Sequence, residues 1–435
     1  MASKLRDLVV NIARALQFSP PNYLRSLLGN TSSWKRSNNA NTELQLMERE
    51  HFPANLATAR AILLPAWPGK PDWLPPLVTR TGLFRTSSTG LYPATSSAGS
   101  NYPNESWMFV NGICADRAVA ELNADYLYRL FGRQLTLLHN QTHGFMLDLA
   151  ECAVGKGWLG ATEAVQKLFP AFYSELKRPD IDRVVLIAHS QGTILAAVFV
   201  AMLRQLLEEQ VATQASDTEA ESSPEARCAA DLLKSSLASL HKPIVRVMQQ
   251  ASGPAGGLLA NLDQVSRSGK QQLVDSVQYW LDWSADSVLG LPALTLAELK
   301  KLEIYCFATC ATDMPVLLEG QQPAPYMEHF GNSKDLVARL GLFAPPSGPG
   351  STRIAGQRFV CEDGWGHLLN AHYLQPLQRQ WQGDGEAAFK PQAGQRSSSG
   401  KRPAQSRLKK YYQQANPAGL KVTQINTDNE ALPST

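Results

Sequence analysis

The sequence predicts an α/β protein: a mostly parallel sheet with helices on both faces. Three observations predict it. Short apolar runs are bounded by turn residues, helix-period segments follow them, and one β-branched run passes through a sharp turn straight into an apolar helix. The periodic part begins at Trp107. Residues 107–110 form an apolar strand closed by Asn111 and Gly112, and 116–131 carry a helix pattern through Val119, Leu122, Tyr126, Leu127 and Leu130. A second strand, 134–139, leads through a polar loop into helices reaching to about 178. The third strand, 183–188, is apolar almost throughout, as a strand covered on both faces must be, and gives way to a helix over 192–206. Further strands are predicted at 302–308, 325–330 and 357–361.

The flanks read differently. Leu5, Leu8, Val9, Ile12 and Leu16 recur at helical spacing, so 3–17 predicts an amphipathic helix packed on the body. Pro, Gly, Ser and Thr crowd 64–103 and predict turns and short strands. Residues 207–226 gather Glu208, Glu209, Asp217, Glu219, Glu221 and Glu225 without apolar periodicity and read as a solvated loop; 228–300 read as apolar and helical. From about 383 the chain is poor in hydrophobics, and 390–421 hold eight Lys and Arg and no acid, which predicts a disordered basic tail. The organisation expected is an N-terminal segment 1–104, a domain 105–382 with an insertion at 207–300, and a tail 383–435.

Composition narrows the function. Forty-one Lys+Arg against 38 Asp+Glu leave a net charge of +3, which argues against a dedicated nucleic-acid binder. The longest apolar stretch, Ile194 to Leu203, falls short of the ~20 residues of a membrane span, and no export signal is recognised. The expected location is cytoplasmic, with the six cysteines as reduced thiols. Cys306 and Cys310 have no Cys or His pair at ligand spacing to complete a metal site, so no metal and no organic cofactor is expected.

The chemistry is concentrated in RVVLIAHSQGTILAAVFVAML, residues 183–203. A strand, then His189-Ser190-Gln191-Gly192, then a helix is the setting of a nucleophile elbow, whose tightness requires small residues two before and two after the serine; Ala188 and Gly192 comply. Ser190 would project its hydroxyl at the helix N-terminus, where the main-chain N–H of Gln191 can meet a developing oxyanion. The second donor is expected from the turn after the first strand, at Ile113 or Gly112, with Asn111 as an alternative that orients the loop through its side chain. Serine needs a base oriented by a carboxylate. Of eight histidines, His367 is preferred because it lies in a Gly-bearing loop between the last strand and a helix; His372 is the alternative, and His139 and His143 read as structural. For the acid, Asp335, after the strand that ends in Gly331-Asn332, is preferred over Asp313, which follows the preceding strand.

These motifs resemble the α/β-hydrolase superfamily, with AHSQG as the elbow, NSKDLVARL similar to the acid-bearing stretch of class 3-type lipases, and GHLLNAHYL similar to their base-bearing segment. FVNGI, HNQTHG, DLAEC, HSQG, EIYCFA, EHFGNSKDLVARLG and GHLLNAHYL together resemble a largely uncharacterised group of fungal α/β-hydrolase-like proteins, over roughly residues 105–376. The resemblance implies Ser190, Asp335 and His367 as a triad in that chain order, and makes the apolar helical part of the insertion, 228–300, either a cap over the site or an ordinary structural subdomain. It implies a serine carboxylic-ester hydrolase of lipase or esterase type acting on a small-molecule or lipid ester. The alternatives are a catalytically silent interaction protein, or a peptidase or acyltransferase on the same residues. Transient contact with an anionic membrane surface through the N-terminal helix and the basic tail is a further expectation, with a soluble enzyme carrying a floppy tail as the preferred alternative.

Overall fold

The structure is a computed structural model that describes residues 25–29, 41–45, 90–93, 102–112, 115, 117–140, 158–217, 291–311, 313–318, 323–344, 353–384, 387–392 and 405–413. The segment 3–17, Ile113, His143 and most of the 207–300 insertion lie outside the described residues. The elements in chain order are β1 (Gly90–Pro93), β2 (Glu105–Val110), α1 (Arg117–Phe131), β3 (Leu135–His139), α2 (Trp158–Lys177), β4 (Arg183–His189) and α3 (Gly192–Asp217). Next come α4 (Leu296–Lys300), β5 (Leu302–Phe307), β6 (Asp313–Met314), β7 (Tyr326–Asn332), α5 (Leu336–Leu340), β8 (Arg353–Ile354) and β9 (Gln357–Cys361). A π-helical turn (Leu369–Leu374), α6 (Gln375–Gln382), β10 (Lys390–Pro391) and a 3₁₀ turn (Leu408–Tyr411) complete the described chain.

Eight strands form one sheet in the order β1-β3-β2-β4-β5-β7-β9-β10. The six central strands run parallel, and the edge strands β1 and β10 are antiparallel to their neighbours. The fold is therefore α/β with a mixed, mostly parallel sheet and interleaved helices, as predicted. The strand period of two divides the side chains between two cores. Met108, Val110, Val184, Leu186, Ala188, Ile304 and Cys306 pack on one face with Phe169, Phe172, Phe199 and Leu203 of α2 and α3. Trp107, Phe109, Val185, Ile187, Tyr305 and Phe307 pack on the other with Leu127 and Phe131 of α1, Leu377 of α6 and the π-helical turn. On that face Phe307, Phe330 and Phe359 sit opposite one another in register on β5, β7 and β9, with ring centroids 4.9 and 5.2 Å apart.

Two expectations are corrected. The helix predicted to stop at 206 continues to Asp217; Leu, Gln, Glu and Ala at 206–212 are strong helix formers, so the segment propagates without an apolar stripe. The segment beyond 383 is not wholly a disordered tail. β10 adds to β9, and Phe389, Leu408 and Tyr411 are buried. Arg407 pairs with Glu303 at 3.0 Å and lies 3.5 Å over the ring of Tyr326, Tyr411 Oη donates to Glu303 at 2.8 Å, and Ser406 Oγ donates to Glu328 at 2.6 Å. Three buried side chains, the ion pair on Glu303 and the hydrogen bonds to Glu328 offset the ordering entropy that a merely basic composition would not. Among the described residues no helix is long and apolar enough to cross a membrane.

Chain order through the central strands reverses direction at β2 and β4. From β2 the chain moves outward to β3, and from β4 it moves the other way through β5, β7 and β9. Such a switch point leaves a crevice beyond the carboxyl ends of the two strands, where sites in open α/β sheets form. Asn111 and Gly112 follow β2 there, and Ser190 follows β4.

Candidate active site

The elbow is built from backbone constraints. Ser190 has φ 57°, in the left-handed region that a non-glycine residue adopts only where its surroundings impose it. Its N–H donates to Phe307 O at 2.9 Å, and its carbonyl accepts from Thr193 N at 2.9 Å and from Thr193 Oγ1 at 2.7 Å. Thr193 Oγ1 in turn accepts from Cys310 N at 3.1 Å, tying the turn to the segment after β5. Gly192 is required by contact: a Cβ there would lie 2.6 Å from Val110 O and 2.7 Å from Asn111 O, both backbone atoms that cannot swing aside. Gly112 is required for the same reason from the other side, since its Cβ would lie 2.5 Å from Ser190 Cβ. Ala188 is fully buried at the end of β4.

The three preferred residues meet in one hydrogen-bonded chain. His367 Nε2 lies 2.9 Å from Ser190 Oγ, and His367 Nδ1 lies 2.9 and 3.1 Å from the two oxygens of Asp335. Ser190 and Asp335 are 0 % exposed and His367 6 %. Because an ionised carboxylate only accepts, the proton of a neutral His367 sits on Nδ1. Nε2 then offers its lone pair to the serine O–H, the geometry in which a serine is deprotonated as it attacks an electrophile. Asp335 itself is fixed as the N-cap of α5, its Oδ1 accepting from Val337 N at 2.8 Å. Tyr373 Oη, 2.6 Å from Oδ2, completes the shell of the carboxylate.

The alternatives do not join this chain. Asp313 is exposed in β6, which pairs with β8 in a separate two-stranded sheet. His372 is buried with its Nδ1 accepting from Leu368 N at 3.0 Å, and burial lowers its pKa to about 4, so it is a neutral structural group. His139 ends β3, buried and edge-on to Tyr92 at 6.0 Å. Asn111 does tie its loop through its side chain: Nδ2 donates to Gly112 O and Asn140 O at 3.1 and 3.0 Å, and Oδ1 accepts from Asn140 N at 2.7 Å. Asn140 Nδ2 then donates to Gln191 Oε1 at 3.0 Å, linking the ends of β2, β3 and the elbow. His189 Nε2 lies 2.9 Å from His367 O. Burial, and then the neighbouring His367, hold its pKa well below the ordinary value, so it stays neutral and donates.

Several contributors escaped the sequence reading. Leu27 O accepts from His367 N at 2.8 Å, and Ser26 Oγ accepts from Leu336 N at 2.6 Å while donating to Lys334 O at 2.8 Å. Residues 25–29 thus brace the acid and base loops together, Ser26 lying 310 positions from Leu336, a separation no local pattern reveals. Glu43 caps the π-helical turn after His367, its carboxylate accepting from Asn370 N at 2.9 Å and Ala371 N at 3.1 Å, with burial raising its pKa. Among the described residues no group of three or more His, Cys, Asp or Glu side chains is placed to hold a metal ion. Comparison of the chain with protein families, with curated proteins and with solved structures gives no significant match, so the geometry of Ser190, His367 and Asp335 carries the functional reading by itself.

Proposed function

We propose that this protein is a serine hydrolase of carboxylic esters, of lipase or esterase type, working through an acyl-enzyme. The observation that carries this reading is the continuous chain from Asp335 through His367 to Ser190, at the carboxyl edge of the sheet beside its switch point. Ser190 Oγ attacks the ester carbonyl as its proton passes to His367 Nε2. The imidazolium, supported by Asp335, returns that proton to the departing alcohol, and water attacks the acyl-enzyme by the same route in reverse. The main-chain N–H of Gln191, with that of Gly112 as the second donor, is assigned to the oxyanion.

The test is reaction with a fluorophosphonate probe followed by hydrolysis of a chain-length series of p-nitrophenyl esters. Wild type is expected to be labelled and to turn over esters, and Ser190→Ala to do neither while unfolding at the wild-type temperature. A folded wild-type protein inert to the probe overturns the reading. The complete burial of Ser190 favours a second reading, a catalytically silent interaction protein, and the same inert result would support it.

A further inference from the structure

We infer that Tyr373 is a positioning residue of this site: its phenol donates to Asp335, and so sets both the orientation of the carboxylate and the basicity of His367. The inference rests on the reading of Ser190, His367 and Asp335 as a working group, and adds a fourth member.

The direction of the hydrogen bond is settled by what surrounds the phenol. Tyr373 Oη accepts from Asn332 N at 3.3 Å and lies 2.6 Å from Asp335 Oδ2. A phenol has a single proton; the Asn332 amide occupies a lone pair, and the carboxylate can only accept, so the proton points at Oδ2. Tyr373 is 0 % exposed. Burial first, and the charge of Asp335 next, raise its pKa well above the ordinary value, so it remains a donor across the working pH range. The ring is held on its other side by Phe389, stacked at 5.9 Å, and by Phe307, edge-on at 6.1 Å. The hydroxyl therefore has little freedom to leave.

The carboxylate is consequently held from three directions. Val337 N–H fixes Oδ1, Tyr373 Oη fixes Oδ2, and His367 Nδ1 sits between the two. Without the phenol, Oδ2 keeps only the imidazole, which also faces Oδ1, and Val337 N–H is the one remaining donor that holds the carboxyl group independently of the base. A donor to Oδ2 also withdraws charge from the atom that supports the imidazolium. Hydrogen bonding to the charged form stabilises the carboxylate and weakens its pull on the proton of His367. Of the other titratable groups close to this cluster, His189, His372 and Cys361 are held neutral by burial, and Glu43, whose carboxyl interacts with His367, has its pKa raised by burial; the phenol is the side-chain donor to Asp335 besides its base.

Tyr373→Phe tests this, because it removes one oxygen and keeps the ring between Phe389 and Phe307. The imidazole of His367 is followed by NMR titration in wild type and variant, and ester hydrolysis is followed in parallel. The variant should show the His367 titration displaced upward relative to wild type, the acid limb of kcat/KM displaced with it, and kcat reduced about 10-fold at unchanged KM. A phenol that merely fills space would leave the titration where it was, so an unshifted His367 in a folded variant overturns the inference. The titration needs no turnover: a wild-type protein inert to fluorophosphonate sinks the hydrolase reading, while the shift or its absence still decides the role of Tyr373.

Discussion

The rings of His189 and His367 lie 4.8 Å apart, centroid to centroid, and Nε2 of the first is 2.9 Å from the main-chain oxygen of the second. The residue before the candidate nucleophile thus holds the backbone of the candidate base. A carbonyl can only accept, so the bond requires a proton on His189 Nε2, which the neutral ring supplies as that tautomer.

Replacing His189 by Phe keeps a ring in this space and removes the donor. The carbonyl of His367 then loses its partner in a buried site, at a cost of about 1–3 kcal/mol, and the base loop loosens from the elbow. Urea unfolding should show that loss. Ester turnover should fall with it, whereas His189→Gln, which can still donate, should retain more of both. Equal behaviour of the two variants would remove His189 from the account.

Asp335→Asn should cost about 10²- to 10⁴-fold in kcat, because an amide presents His367 with the wrong tautomer. Asp313→Asn should have little effect, since Asp313 is exposed in a separate small sheet. Stability should separate the roles further: Asn can still cap α5, so only Asp335→Ala should also lose about 1 kcal/mol in denaturant unfolding.

Gly192→Ala places a methyl carbon 2.6 Å from Val110 O and 2.7 Å from Asn111 O. Neither atom can move without parting β2 from β4, so the variant should lose about 1–3 kcal/mol of stability. The displaced elbow should also react more slowly with fluorophosphonate, measured as the labelling rate of the folded fraction. Full reactivity would show that the turn tolerates more room than its geometry implies.

Acid should destabilise the fold through His329. Its Nδ1 faces Thr309 Oγ1 at 3.0 Å and its Nε2 faces Ala355 O at 2.9 Å, and burial lowers its pKa to about 3. The unfolded state, with an ordinary pKa near 6.5, binds more protons between pH 6.5 and 3, so stability is full above that window and is lost as pH falls through it. Wild type should show this slope in denaturant midpoints at pH 7, 6, 5 and 4. His329→Gln, which can fill the same two hydrogen bonds, should flatten it.

The parallel strands are legible in the sequence because their periodicity follows from burial on both faces. Strands 357–361 and 302–307 are predicted within a residue or so, and the elbow is legible because one turn forces small residues at Ala188 and Gly192 around Ser190. The choice of His367 over His372 is legible only as a preference, since both lie in one Gly-bearing segment. Edge strand β10 and the docking of 405–413 are not legible, because a basic, Ser-rich segment gives no sign of the carboxylates of Glu303 and Glu328 that receive Arg407 and Ser406.

What this sequence determines by itself is therefore local: an alternating α/β order, a strand that turns sharply at a serine, and histidine and aspartate residues in loops beyond later strands. Each follows from periodicity or from the steric demands of a single turn. Which acid faces His367 was decided only by tertiary structure, because Asp313 and Asp335 both follow strands and differ in where the sheet order carries them. The reach of Tyr373 to Asp335 belongs there too. It depends on a π-helical turn, braced by Glu43 from 327 positions away, whose wider winding no sequence period announces.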